Sequence, residues 1–263
     1  MVIELIMTTQ QFDIAVIIPT ICRNNLLRAV RSVYSQDFDG KIQILIGVDI
    51  DERKKIPQIR SILENECPKN IHLTIFNPGY STSIRHGGIH GSFYGGSLRT
   101  ILSFMANSQF ITYLDDDDWF LASHIGSIME AIGDNDWAYP YCWYADGNTS
   151  VPLFVDSIES LGPEKGIYAQ RFGGFVRPSG MTINKIKLMH LLHLWSIPLS
   201  STGDGEDRVI FDSLRKYKSI CTEKATVCAA IDPHDSMHHL RMELARKKGF
   251  SVKISSKLDS SRK

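Results

Sequence analysis

Apolar positions in the first half of the chain alternate between two periods. The run Phe12-Asp13-Ile14-Ala15-Val16-Ile17-Ile18-Pro19 is β-branched and closed by proline, which predicts a strand. Leu26, Leu27, Val30, Val33 and Tyr34 then recur at helical spacing and predict a helix over 24–35. The alternation repeats. A strand over 42–49 ends on Asp49, and a helix carrying Ile56, Ile59, Ile62 and Leu63 stops near Cys67-Pro68. A third strand spans 71–76, a glycine-rich loop spans 79–96, and a helix over 98–106 runs into the strand 110–114. This order predicts a single α/β domain with a Rossmann-like, mostly parallel central sheet flanked by helices. Ligands of such sheets bind outside the carboxyl ends of the strands. Beyond Trp119 the pattern is less regular.

One of those ends carries four carboxylates. Asp115-Asp116-Asp117-Asp118 follows Phe110-Ile111-Thr112-Tyr113-Leu114 directly and precedes Trp119-Phe120-Leu121. Alternation along a strand sends Asp115 and Asp117 to one side and Asp116 and Asp118 to the other. An Asp-x-Asp pair on one side can hold a hard cation, Mg²⁺ or Mn²⁺, and leave positions open for phosphate oxygens. A charged turn or a helix first turn is the competing explanation. Asp49 also closes a strand, so one crevice is expected to hold both.

Composition narrows the classes. The 263 residues carry 29 basic and 29 acidic side chains, a formal net charge of zero that argues against a dedicated nucleic-acid binder. A hydrophobic content of 43% suits a globular protein. The five cysteines are scattered with no Cys-x-x-Cys pair, as expected of reduced thiols in a cytoplasmic protein. No apolar stretch reaches the length of a membrane span, and the segment from Met1 to Met7 is a poor signal peptide. Residues 236–263 read as a basic, solubilising tail. Arg246-Lys247-Lys248 within it would allow at most a peripheral contact with the inner face of a membrane.

Four segments in order resemble glycosyltransferase family two. Val16-Ile17-Ile18-Pro19-Thr20, followed by Leu27-Arg28-Ala29-Val30-Arg31-Ser32-Val33 and Gln36, is similar to the family's opening strand and helix. Leu45-Ile46-Gly47-Val48-Asp49 is similar to the strand whose terminal Asp holds the nucleotide base. Gly96-Ser97-Leu98-Arg99-Thr100 through Asp115-Asp116-Asp117-Asp118-Trp119 resembles the helix and metal-binding Asp-x-Asp. Gly205-Glu206-Asp207-Arg208 resembles the Glu-Asp pair that supplies the base in inverting members. The likeness covers about 14–214. It implies a GT-A fold, with a nucleotide-sugar half at about 12–120 and an acceptor half at about 121–235. The implied activity is metal-dependent transfer of a hexose-like sugar, with inversion, from a nucleoside-diphosphate sugar. UDP-sugar is the favoured donor, and the acceptor would be saccharide or lipid-linked. Asp49-Ile50-Asp51-Glu52 stands where the family often has Asp-Asp-Gly-Ser.

Such a reaction needs a Lewis acid on the leaving diphosphate, a nucleoside pocket and a base for the acceptor hydroxyl. Asp117 is expected as direct metal ligand, with Asp115 on the metal or ribose, and the resemblance adds His234 to the metal shell. Pro19, Thr20, Arg23, Asp49, Arg99 and Asp116 are the remaining candidates for nucleotide-sugar contacts, although Asp116 also reads as a cap or solvent-facing residue. Asp207 is expected as general base and Glu206 as its positioning or acceptor-binding neighbour, with Asp204 a competitor. Acids also belong in a helix first turn, and the two roles are compatible. His86 and His90 read as flexible-loop residues, and the loop 79–96 as a mobile lid or acceptor cover. Trp119, Trp143 and Trp195 read as core residues before sugar-stacking ones. Two other classes remain. A nucleotidyltransferase would normally carry a basic glycine-rich motif after its first strand, and 19–25 contains no glycine. A non-catalytic carbohydrate- or cation-binding protein is the other, and the intact runs Asp115 to Asp118 and Glu206-Asp207 count against it.

Overall fold

The computed structural model describes residues 11–147, 149–231, 235 and 237–249. Its main sheet begins with β1 (Phe12–Thr20), β2 (Ile42–Val48), β3 (Ile71–Phe76) and β4 (Ser108–Tyr113). It continues with β5 (Trp119–Phe120), β6 (Trp137–Ala145) and β7 (Pro152–Val155). A separate two-stranded ribbon joins β8 (Gly162–Pro163) to β9 (Gly174–Phe175), and β10 (Thr182–Asn184) and β11 (Ser219–Ala230) complete the main sheet. The strand order is β3-β2-β1-β4-β10-β6-β11-β5, with β7 beside β6. The first four strands are parallel, β10 runs against both β4 and β6, and β6 and β11 are parallel again. The expected mostly parallel α/β sheet is therefore present.

Its helices explain why the central strand reads as an unbroken apolar run. Ile14, Val16 and Ile18 of β1 pack on one side with the buried face of α1 (Leu26–Tyr34), which presents Leu26, Ala29, Val30 and Val33. Ala15 and Ile17 pack on the other side with Leu102 of α3 (Gly96–Met105) and Trp195 of the 3-10 segment Met189–Ser196. A parallel strand covered on both faces has no polar side to show. α2 (Ile56–Glu66) covers the edge near β2, its first amides held by the Asp51 carboxylate at 2.8 and 2.9 Å. Gly96 allows α3 to approach the 3-10 segment, because a Cβ there would lie 2.0 Å from the Trp195 carbonyl oxygen.

The remaining helices are α4 (His124–Ile132), α5 (Ala169–Phe172), α6 (Lys185–Leu188), α7 (Glu206–Leu214) and α8 (His238–Lys247). α8 lies within the segment from 236 that reads as a solubilising tail. Arg241 is buried, with Nε and Nη2 on Glu159 at 2.7 and 2.9 Å and Nη1 on Asp235 at 2.9 Å. Glu159 also accepts the Tyr144 hydroxyl, so α8 is pinned to the sheet by a satisfied buried network. Residues 250–263, with the rest of the basic tail, lie outside the described residues. Among the described residues no helix is long and apolar enough to cross a membrane.

Candidate active site

The carboxyl ends of β1, β2 and β4 converge. Thr20, the last residue of β1, accepts the Asp49 amide on its carbonyl at 2.8 Å and donates its hydroxyl to Asp116 Oδ2 at 2.6 Å. Asp49 and the acidic run are thus joined through one residue, as a single crevice requires.

The four aspartates correct the expected alternation. They form a turn between β4 and β5, closed by the Asp118 amide on the Asp115 carbonyl at 3.1 Å, so strand geometry does not decide where each side chain goes. Turn geometry still divides them in pairs: the Asp115 and Asp117 side chains are each 31% exposed, against 6% for Asp116 and 10% for Asp118. Arginines from three other segments answer the charges. Arg99 Nη2 lies 2.5 Å from Asp115, Arg23 Nη1 lies 2.5 Å from Asp117 and 3.0 Å from Asp116, and Arg177 lies 3.9 Å from Asp118. Burial still pushes the Asp116 carboxyl up to about 6 and that of Asp118 up to about 7, with the Asp117 and Asp115 charges adding to the cost of desolvation against the opposing arginines. Arg28 braces the turn, donating to the Asp117 carbonyl at 2.7 Å while stacking 4.0 Å over Trp119.

Asp49 is buried and held by Ser81 Oγ at 2.7 Å and His86 Nδ1 at 2.6 Å. This corrects the reading of His86 as an idle loop residue. The loop 79–96 is fastened by Ser83 Oγ on the Ser92 carbonyl at 2.7 Å and by the Phe93 amide on the Gly203 carbonyl at 2.7 Å. It therefore bridges from Asp49 to the turn before α7. His86 stands 37 residues from Asp49, and no local pattern pairs them.

Glu206 and Asp207 occupy the first turn of α7, entered through Gly205 in a left-handed conformation (φ 84°). Glu206 is buried and lies 3.4 Å from Arg99 Nη1. Burial pushes it up to about 7, against the opposing charge of Arg99. Asp207 is partly buried and accepts the Arg208 amide on Oδ1 at 2.8 Å. Burial raises its pKa as well, opposed chiefly by the Arg208 charge. Arg99 is not directed at open solvent. It is buried, with Nη1 also on the Tyr94 carbonyl at 2.7 Å, and it links Asp115 to Glu206. Pro19 is buried in β1 beneath Gly95, so it shapes the floor rather than facing the crevice. Asp204 is an exposed turn residue bonded to Ser200 and Thr202. Trp119 and Trp195 are buried, and the Trp143 indole donates to the Ala225 carbonyl at 2.9 Å.

A divalent cation suits this donor set within limits. Asp115 and Asp117 offer hard carboxylate oxygens at the open side of the turn, but among the described residues no cluster of three His, Cys, Asp or Glu side chains forms a complete cage. A cation held here would draw its remaining ligands from substrate phosphates and water, the usual coordination of Mg²⁺ and Mn²⁺ at phosphate sites. His234 lies outside the described residues.

No protein-family model and no curated protein sequence matches the chain. Solved structures do. TarS of S. aureus superposes with a TM-score of 0.60 at 15% identity, over 92% of this chain and 40% of that one. TarS 1-349 in complex with UDP gives 0.56 at 16% identity, over 92% and 67% of the two chains. The mannosyltransferase PcManGT from Pyrobaculum calidifontis, in complex with GDP-Man and Mn²⁺, gives 0.57 at 11%, over 92% and 66%. The chain thus spans less than half the length of the full TarS chain. At these identities the likeness establishes the fold, the GT-A type of α/β domain.

Proposed function

We propose that this chain is a glycosyltransferase that moves a sugar from a nucleoside-diphosphate sugar to an acceptor hydroxyl with inversion. The observation that carries the reading is the Arg99 bridge, which joins the exposed aspartates at the end of β4 to the acid pair of α7. Donor-side and acceptor-side carboxylates then flank one crevice, as in-line displacement requires. The fold is shared with structures that hold UDP, UDP-GlcNAc, or GDP-Man with Mn²⁺, and UDP-sugar is the favoured donor.

Asp49 receives the nucleoside, in place of its contacts with Ser81 and His86. Thr20 and Arg23 line the diphosphate side, with Asp116 holding both in position. Asp115 and Asp117 would hold a Mn²⁺ or Mg²⁺ ion, which would supply positive charge to neutralise the leaving diphosphate. The acceptor oxygen forms its bond to the anomeric carbon as the bond to the diphosphate oxygen breaks, and Asp207 takes the acceptor proton. Glu206, anchored on Arg99, fixes the turn that carries Asp207. The acceptor on this reading is a saccharide or a lipid-linked one, and the reaction runs in the cytoplasm or at the inner face of the membrane.

Thermal stabilisation by a panel of nucleoside diphosphates, with and without Mn²⁺, tests the reading through ligand linkage. One base should stabilise selectively, more so with Mn²⁺, and Asp117→Asn should abolish the metal-dependent part. A panel without effect would remove the nucleotide site, and an Asp117→Asn protein indistinguishable from the parent would remove Asp117 as a metal ligand. The anomeric configuration of the product, read by NMR, tests inversion separately.

A further inference from the structure

A cavity of about 570 Å³ lies beside the first turn of α7, on the flank that Asp207 does not explain. Arg208, Val209 and Asp212 line it from α7, Arg171 and Phe172 from α5, and Leu199 from the preceding turn. Its wall carries three arginines, Arg171, Arg208 and Arg215, against two carboxylates, Glu164 and Asp212. Arg215 is already paired with both of those acids, at 2.9 Å to Asp212 and 3.5 Å to Glu164. The excess positive charge therefore belongs to the other two.

Arg208 is held in an unusual way. Its guanidinium lies 3.7 Å from the Phe175 ring centre, 4.0 Å from that of Tyr168 and 4.9 Å from that of Phe172. Aromatic rings stabilise the faces of a guanidinium through their quadrupoles, and the Tyr168 hydroxyl bonds to the same group. Nη1 nevertheless has no hydrogen-bond partner, although it is shielded from solvent. A desolvated N–H group without an acceptor is costly, and the in-plane fork of arginine is matched by the two oxygens of a carboxylate or phosphate. Arg171 stands at the same cavity, 4.8 Å over Phe172. Arg208 follows Asp207 in the first turn of α7, so the cavity lies against the helix that carries the proposed proton acceptor.

Resting on the glycosyltransferase reading, we propose that this cavity is an acceptor subsite for a saccharide bearing a negative charge, with Arg208 and Arg171 receiving its oxyanion. The shared chemistry is an anionic group on a sugar, and phosphate and carboxylate are its two sources.

The full chain is titrated with glucose 6-phosphate, glucuronate and glucose at matched ionic strength, with binding followed by saturation-transfer NMR. At least one charged sugar should bind about tenfold or more tightly than glucose, and which one does identifies the source. Arg208→Gln should remove about that factor. Because the cage packs around Arg208, Val209→Glu serves as a second variant; it leaves the cage intact, places a carboxylate in the cavity and should also repel charged sugars. Loss of preference in either folded variant supports the subsite. Equal affinity for charged and neutral sugars, or unchanged preference in both variants, overturns it. Nucleoside-diphosphate stabilisation is measured on the same samples and should be unaffected by either substitution. Charged-sugar preference without any nucleotide binding would sink the glycosyltransferase reading and leave an anionic-saccharide site, whereas nucleotide binding without preference would do the reverse.

Discussion

Replacing Arg99 by methionine tests the linkage between Asp115 and Glu206. The substitution keeps the length of the side chain and removes a buried charge that touches Asp115, Glu206 and the Tyr94 carbonyl. Glu206 sits at about 7 against an ordinary 4.5, even beside Arg99. Converted at about 1.36 kcal/mol per pH unit, carrying its charge in the fold costs about 3 kcal/mol. Because this acid titrates higher when folded than when unfolded, the folded protein holds the extra proton between about pH 4.5 and 7. Stability from this group is fully present below that window and is lost as the pH rises through it. Without Arg99 the window extends upward, so the variant continues to lose stability where the parent has levelled off. Asp115 is partly exposed and can turn to water, which Glu206 cannot. At pH 5 the penalty should be the lost hydrogen bonds alone, about 1–2 kcal/mol. At pH 8.5 it should grow to about 3–5 kcal/mol, the usual cost of orphaning one member of a buried pair. Urea unfolding at pH 5, 7 and 8.5, extrapolated linearly, measures both. Asp116 and Asp118 also titrate high, but they are present in both proteins and cancel in the difference. Adding Glu206→Gln to the variant should flatten the pH dependence. A penalty below about 1 kcal/mol at pH 8.5, or one that does not change with pH, would refute the bridge as a charge linkage.

Four further outcomes are expected. Asp207→Asn should leave donor binding intact and lower turnover by about 10²–10⁴, and near-parental turnover would pass the role of base to Glu206. Since burial raises the carboxyls of both Asp207 and Glu206 and the base acts ionised, kcat/KM should fall with acid above the ordinary aspartate value of 3.8; a pH profile still flat down to that value speaks against a buried base. His86→Ala should tighten nucleoside-diphosphate binding several-fold in calorimetric titration, because the donor no longer competes for Asp49, and weaker binding would make His86 a donor contact instead. Arg241→Met should cost about 3–5 kcal/mol and lower the melting temperature, while an unchanged melt would mean that α8 docks without its Glu159 pair.

The first half of the fold was legible because its information is local. β1 is covered on both faces, so its apolar run is continuous, and the helical spacing of Leu26, Val30 and Val33 marks the face that covers it. Asp49, Asp115 to Asp118 and Glu206-Asp207 were legible for the same reason, since each is a short motif at the end of an element. β10 was not: three residues have no period to read, and they pair with strands that begin about 45 and 75 residues earlier. The turn of the acidic run stood only as the competing explanation, because alternation assumes a strand that the chain does not continue. The partners of the site were invisible for a deeper reason. Thr20 meets Asp116 across 96 residues, Arg99 meets Glu206 across 107, and His86 meets Asp49 across 37. Sequence by itself determined which residue types stand at the strand ends, because backbone propensity and apolar periodicity act over a few residues. Only the tertiary structure decided which strand ends adjoin, and with that which arginine neutralises which aspartate, since a charge is paired through space and not along the chain.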